Sequence, residues 1–218
     1  MRKTLFANGE YYHLYNRGVD KRNIFSDSYD TSRFFQSISE FNSVEPIGSI
    51  YENSFSKTIK DKQVLKRKSE SKLVNMVAYC LNPNHYHFVV EQVVDRGVEK
   101  FMHRLSTGYT KYFNKKHDRS GTLFQGPYKA VHVGSNEYFL HLSAYVNLNY
   151  KVHRLGSLAS KSSWEEYIGE TNMSFCSTKP ILEQFKNQQE YKIFALESVQ
   201  CTAERRRADK ELGDKLLE

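Results

Sequence analysis

From Leu73 to Leu81, and again from His85 to Gln92, the chain runs through β-favouring residues, and between the two runs lies the turn tripeptide Asn82-Pro83-Asn84. Proline has no N–H for a ladder and asparagine tolerates turn geometry, so this pattern predicts a tight antiparallel hairpin with one buried face. A lone hairpin is not stable in water, and the sequence on either side has to supply strands or helices to cover it.

It supplies both. Glu10 to Asn16 has the aromatic content of a strand and ends at the turn Asn16-Arg17-Gly18. After the capping candidates Ser26 and Asp27, the residues Phe34, Phe35, Ile38 and Phe41 recur at helical spacing as far as Pro46. Residues 45–72 are polar and then dense in lysine and arginine, which predicts a basic loop. Beyond Gly97, Val98, Phe101, Met102, Leu105, Tyr109, Tyr112 and Phe113 predict a long helix to about His117. Thr122–Phe124 and Tyr128–Val133 read as extended, and Ser135 caps a helix through Tyr138, Leu142, Tyr145 and Leu148. The order β-α-β-β-α-β-α predicts an α+β, ferredoxin-like split βαβ fold: a central antiparallel sheet with helices on one face and an added helix after the fourth strand. The strand that begins at His85 then lies at the centre of the sheet. Residues 1–155 form one domain in this reading, and 156–218 a C-terminal helical extension carrying Trp164, Tyr167, Ile181, Phe185 and Phe194.

Charge narrows the partners. Lys and Arg number 32 against 25 Asp and Glu, a net +7, which favours polyanions but is equally explained by a solvated basic surface. Tyr109, Lys111, Tyr112, Phe113, Lys115 and Lys116 interleave rings with cations, a pattern that suits unpaired bases and phosphates or an ordinary amphipathic helix. Arg17, Lys21, Arg22, Arg104, Lys111 and Lys129, with Tyr128, are candidate DNA contacts or plain surface residues. Cys80, Cys176 and Cys201 stand far apart, which fits neither a zinc knuckle nor a disulfide framework. No run approaches a membrane span, and a cytoplasmic, nucleoid-associated protein is expected.

The chemistry concentrates at His85-Tyr86-His87. Strand alternation puts both imidazoles on one face and Tyr86 on the other, so two nitrogen donors converge on one point. Two solvent-facing histidines are the ordinary alternative. Imidazoles suit manganese, zinc, nickel or iron better than magnesium. On the later helix, four-residue spacing places Tyr145 and Asn149 on one face. The alternatives there are a core tyrosine and a helix cap.

The run Leu81-Asn82-Pro83-Asn84-His85-Tyr86-His87-Phe88-Val89-Val90 resembles the signature of the HUH single-tyrosine transposases, in particular their REP-associated tyrosine group and its insertion-sequence-200-like relatives. Tyr12-His13-Leu14-Tyr15-Asn16-Arg17-Gly18, Gly121 to Gly126, Ala144 to Asn149 and Trp164 to Gly169 resemble further segments of the group in the same order. The resemblance implies a divalent metal, Mg2+ or Mn2+, held by His85, His87 and Asn149, with Tyr145 as the nucleophile. It implies cleavage and rejoining of single-stranded DNA at hairpin-containing sites through a 5′-phosphotyrosine. It also implies a homodimer wherever the tyrosine helix is exchanged between copies, whereas the tail after Leu155 would serve to hold that helix in place. Tyr150 stands where the family often has proline, which puts the end of the helix in question. A hairpin-binding protein that is inactive or domesticated, and a metallohydrolase that activates water, are the other readings.

Overall fold

The computed structural model describes residues 4–50, 71–153, 155 and 160–215, with side chains described up to Cys201. Most of the basic loop expected over 45–72 lies outside the described residues.

The chain forms strand β1 (Tyr11–Arg17), helix α1 (Ser28–Phe41), strands β2 (Val74–Asn82) and β3 (His85–Gln92), helix α2 (Gly97–Lys116) and strand β4 (Lys129–His132). Helices α3 (Asn136–Asn147) and α4 (Asn149–Val152), strand β5 (Lys161–Ser162) and helices α5 (Trp164–Ile168), α6 (Lys179–Leu182) and α7 (Gln188–Lys215) follow. The helix caps are local chemistry. Asp27 accepts from the Asp30 N–H at 2.9 Å, and the Ser135 hydroxyl accepts from the Tyr138 N–H at 3.2 Å. Each thereby satisfies a helix-end donor that has no partner within the helix.

The strand order is β4-β1-β3-β2-β5. Its first four members are in the order of a split βαβ fold, β5 is an added edge, and β3 lies in the middle. The registers Tyr12↔His132 and Cys80↔Ser162 are antiparallel. The extended segment expected at Thr122–Phe124 is reduced to a single bridge between Phe124 and Gly18.

Two compact units emerge. The first comprises residues 1–75, 83–86 and 90–132; the second comprises 76–82, 87–89 and 133–218. In the first, Phe34 of α1 is fully buried and packs its ring 4.7 Å from Tyr109, 5.0 Å from Phe25 and 5.5 Å from Tyr86. The close crossing of α1 on α2 needs Gly108: a Cβ there would lie 2.5 Å from Cε2 of Phe41. The buried carboxylate of Asp30 is matched to Lys116 at 2.8 Å, His117 at 3.0 Å and the Tyr112 hydroxyl at 3.2 Å. A charge inside the fold needs such partners. In the second unit, α7 packs against α3 and α5 around the buried rings of Tyr191 and Tyr167, whose centroids are 4.9 Å apart. The Tyr167 hydroxyl donates to the Val77 carbonyl of β2 at 3.0 Å. Among the described residues no helix is long and apolar enough to cross a membrane.

His13 on β1 is buried, and that burial pulls its pKa from 6.5 down to about 4. Between those two values the unfolded chain takes up a proton that the folded chain refuses, so stability falls on acidification through this window and levels off below it. The shift corresponds to roughly 3 kcal/mol. Urea midpoints measured from pH 7 to pH 4 are expected to drop more steeply for the native chain than for His13→Gln; equal slopes would show that His13 titrates normally.

Candidate active site

On β3, Tyr86, Phe88 and Val90 are fully buried, and Tyr86 packs against Phe34 and Phe124. Alternation therefore turns His85 and His87 to the opposite face of the strand. His85 is half-buried and His87 is 8% exposed. Nδ1 of His85 lies 2.6 Å from Oδ1 of Asn84.

Tyr145 comes to this point from α3. Its ring stands edge-on to that of His87, with centroids 5.7 Å apart and planes at 83°. The neighbouring residues Ala144 and Val146 are fully buried, whereas Tyr145 is half-buried and retains a solvent-facing part. The phenol therefore stands beside an imidazole and is not sunk in the core.

Asn149 lies beyond a break in the helix on which the spacing expectation rests. The helix gives way at Leu148 (φ −111°, ψ 17°), so Tyr145 belongs to α3 and Asn149 opens the short α4. The cause is tertiary. On one side of the break, the buried Asn147 donates to the Tyr191 hydroxyl at 2.8 Å and accepts from the Ser163 hydroxyl at 2.5 Å. On the other side, the fully buried Asn149 accepts from Asn82 Nδ2 at 2.7 Å. These polar anchors set the path of the chain more strongly than helix continuity does. At Tyr150, where the family proline is missing, the chain is helical, and the interruption falls two residues earlier.

Tyr109 and Tyr112 are engaged elsewhere. The Tyr109 hydroxyl donates to the Ile24 carbonyl at 2.6 Å, and burial pushes its pKa upward. Tyr86 is likewise raised by burial. Tyr112 donates to Asp30. Tyr128 lines a cavity of about 260 Å³ with Asn16, His103 and Phe124.

Of the basic candidates, Arg17 is exposed and bonds Gln125, Arg22 pairs with Asp20 at 3.7 Å, and Lys129 lies 5.9 Å from the centre of the Tyr15 ring. Lys21 is exposed in the turn after β1. Arg104 has a structural task, donating to the Ser43 and Val44 carbonyls at 2.5 and 3.4 Å as the chain leaves α1. Lys111 opens onto a cavity of about 790 Å³, together with Arg33, Arg104, Lys115, Lys116 and the ring of Tyr112; among the described residues no carboxylate lines it. Among the described residues, neither Lys111 nor Lys115 meets an acidic partner.

Among the described residues no group of three or more His, Cys, Asp and Glu side chains is placed to hold a metal. A centre at β3 would therefore draw its third donor from another residue type. Two imidazoles and one amide oxygen form such a set, and because all three are neutral they would leave the full positive charge of a cation to act on a phosphodiester. With Nδ1 of His85 engaged by Asn84, Nε2 is the nitrogen that could coordinate a cation.

No curated protein matches the sequence. The chain is similar in fold to a solved REP-associated tyrosine transposase bound to a REP hairpin, with a TM-score of 0.50 and 11% identity over 81% of this chain and 96% of that one. A Deinococcus radiodurans R1 protein described provisionally as a transposase aligns at 12% identity over 67% of this chain and 95% of that chain, with a TM-score of 0.38. The family profile described as transposase IS200 like matches residues 49–149, a span that takes in β2, β3, α2 and α3 with His85, His87, Tyr145 and Asn149. Over those residues the chain is similar to the IS200-like transposases.

Proposed function

We propose that this chain cleaves and rejoins single-stranded DNA at hairpin-containing sites, with Tyr145 as the nucleophile. The observation that carries the reading is the placement of a half-buried phenol edge-on to His87, 5.7 Å away. His85, His87 and Asn149 would hold a divalent cation, Mg2+ or Mn2+, which when bound supplies Lewis-acid charge to a phosphodiester. A phenol of ordinary pKa near 10 is a weak nucleophile toward an anion, and that charge addresses the difficulty.

The step itself balances without an added cofactor. Oη of Tyr145 forms a bond to the scissile phosphorus as its proton leaves, the bond from phosphorus to the 3′-oxygen breaks, and that oxygen takes up a proton to become a free 3′-hydroxyl. The 5′-phosphate stays on the tyrosine as a diester. A later 3′-hydroxyl can reverse the exchange. Edge-on packing against His87 restricts the ring, so part of the orientational cost of the attack is met before substrate binds.

A hairpin substrate is supported by the related transposase solved with a REP hairpin. The basic cavity beside Lys111 and Lys115 is proposed as a backbone contact. Changing both lysines to Gln is expected to weaken hairpin binding to a similar degree for all sequences and to reduce the slope of log affinity against log salt by up to about 2. An unchanged slope in a fluorescence-anisotropy titration would remove the cavity from the DNA path.

The deciding experiment incubates the chain with a labelled hairpin oligonucleotide carrying a single-stranded flank, with Mn2+ or with EDTA, and resolves the products on a denaturing gel. A metal-dependent band of protein joined to DNA is expected. Nicking with no protein attached would point to water as the nucleophile. Binding without cleavage would make the chain a hairpin-binding protein that has lost or been relieved of catalysis.

A further inference from the structure

The Asn82-Pro83-Asn84 turn does more than connect two strands. Its Asn84 places Oδ1 2.6 Å from Nδ1 of His85. The donor in this contact is identified one bond further out, because Nδ2 of Asn84 donates to the Lys21 backbone carbonyl at 3.1 Å. A carbonyl only accepts, so the amide faces His85 with its oxygen; that oxygen also only accepts, so the imidazole proton sits on Nδ1 and the coordinating lone pair on Nε2.

The Lys21 carbonyl is aimed by unusual backbone. Asp20 and Lys21 are successive non-glycine residues at φ 54° and 58°, in the left-handed region. The turn that imposes this conformation is tied back to Asn84, whose carbonyl accepts from the Gly18 N–H at 2.8 Å.

At the other end of the turn, Asn82 Nδ2 donates to Asn149 Oδ1 at 2.7 Å. The Asn82 oxygen accepts from the Ser160 hydroxyl at 2.9 Å and from the Cys80 thiol at 3.6 Å. Those two donors fix which end of the Asn82 amide meets Asn149. This bond fixes which way the Asn149 amide faces.

We propose that Asn82 and Asn84 are positioning residues for the metal-ligand set, an assignment that rests on the reading of His85, His87 and Asn149 as ligands. Asn84 selects the tautomer of His85 that presents Nε2, and Asn82 fixes the orientation of the Asn149 amide.

The first measurement needs no metal: long-range 1H–15N NMR of the histidine-labelled full chain, in the apo state and at a pH where His85 is neutral. The native chain and Asn84→Asp, which keeps the acceptor, are expected to show His85 protonated on Nδ1, while Asn84→Ala shifts the proton toward Nε2. Mn2+ binding, followed by electron paramagnetic resonance of the free ion, is expected to weaken about 10- to 100-fold in Asn84→Ala and in Asn82→Ala. In Asn84→Asp it should stay at least as tight as in the native chain. Asn84 is half-buried, so its variants keep the test sound even if the buried Asn82→Ala fails to fold. Native His85 protonated on Nε2, or Asn84→Ala binding Mn2+ as tightly as the native chain, overturns the proposal. A native chain that binds no Mn2+ overturns the ligand reading itself, and the tautomer result separates the two failures.

Discussion

Tyr145→Phe is expected to reduce the covalent protein–DNA adduct by at least about 1000-fold while leaving hairpin affinity within about twofold, because it removes one oxygen atom, the one that makes the new bond in the proposed reaction. The phenyl ring keeps its edge contact with His87, and the half-buried position tolerates the loss of the hydroxyl, so the thermal midpoint should hardly move. Tyr109, Tyr86 and Tyr112 are poor substitutes. Tyr109 and Tyr86 are buried with raised pKa values, and Tyr112 is bound to Asp30. Retention of the adduct in this variant would relocate the nucleophile, and peptide mapping of the modified residue would then find it.

The second large effect concerns what holds the tyrosine helix. Asn147→Leu keeps the branched shape at a somewhat larger volume but strips two buried hydrogen bonds, from Asn147 to the Tyr191 hydroxyl and from the Ser163 hydroxyl to Asn147. Tyr191 retains a contact to Ser143 at 3.1 Å, and Ser163 keeps the backbone of Tyr79, so the remaining groups are only partly orphaned. A loss of about 2–4 kcal/mol in unfolding free energy is expected from urea titration. A double-mutant cycle with Tyr191→Phe should return a coupling of about 1–2 kcal/mol. Additive losses would show that the two side chains do not share a bond.

That clamp bears on which chain supplies the nucleophile. Ser163 also accepts from the Tyr79 N–H of β2 at 3.0 Å, so Asn147 is linked through one serine to a strand of its own chain, and Tyr191 links it to α7. An extension that holds α3 in this way supports use of the tyrosine beside the same chain's His87. Mixing Tyr145→Phe with His87→Ala protein should then fail to restore the adduct, whereas restored activity would show that the helix is exchanged between copies.

What the sequence determined by itself was short in range. The turn at Asn82-Pro83-Asn84, the caps at Asp27 and Ser135, the alternation that puts His85 and His87 on one strand face, and the helical spacing of α1 and α2 depend on neighbours within a few residues, so composition and period expose them. The order of strands followed from the order of elements, since few topologies accommodate β-α-β-β-α-β. The tertiary structure alone decided the break at Leu148, the capture of Arg104 by the Ser43 and Val44 carbonyls, and the hydrogen-bond partners of Asn82, Asn84 and Asn147. Each of these is a polar group whose partner is chosen by burial, often from a segment tens of residues away: Asn82 bonds Asn149, and Asn147 bonds Tyr191. No local pattern records such a choice, because the cost of leaving a buried donor or acceptor unpaired arises only once the chain has packed.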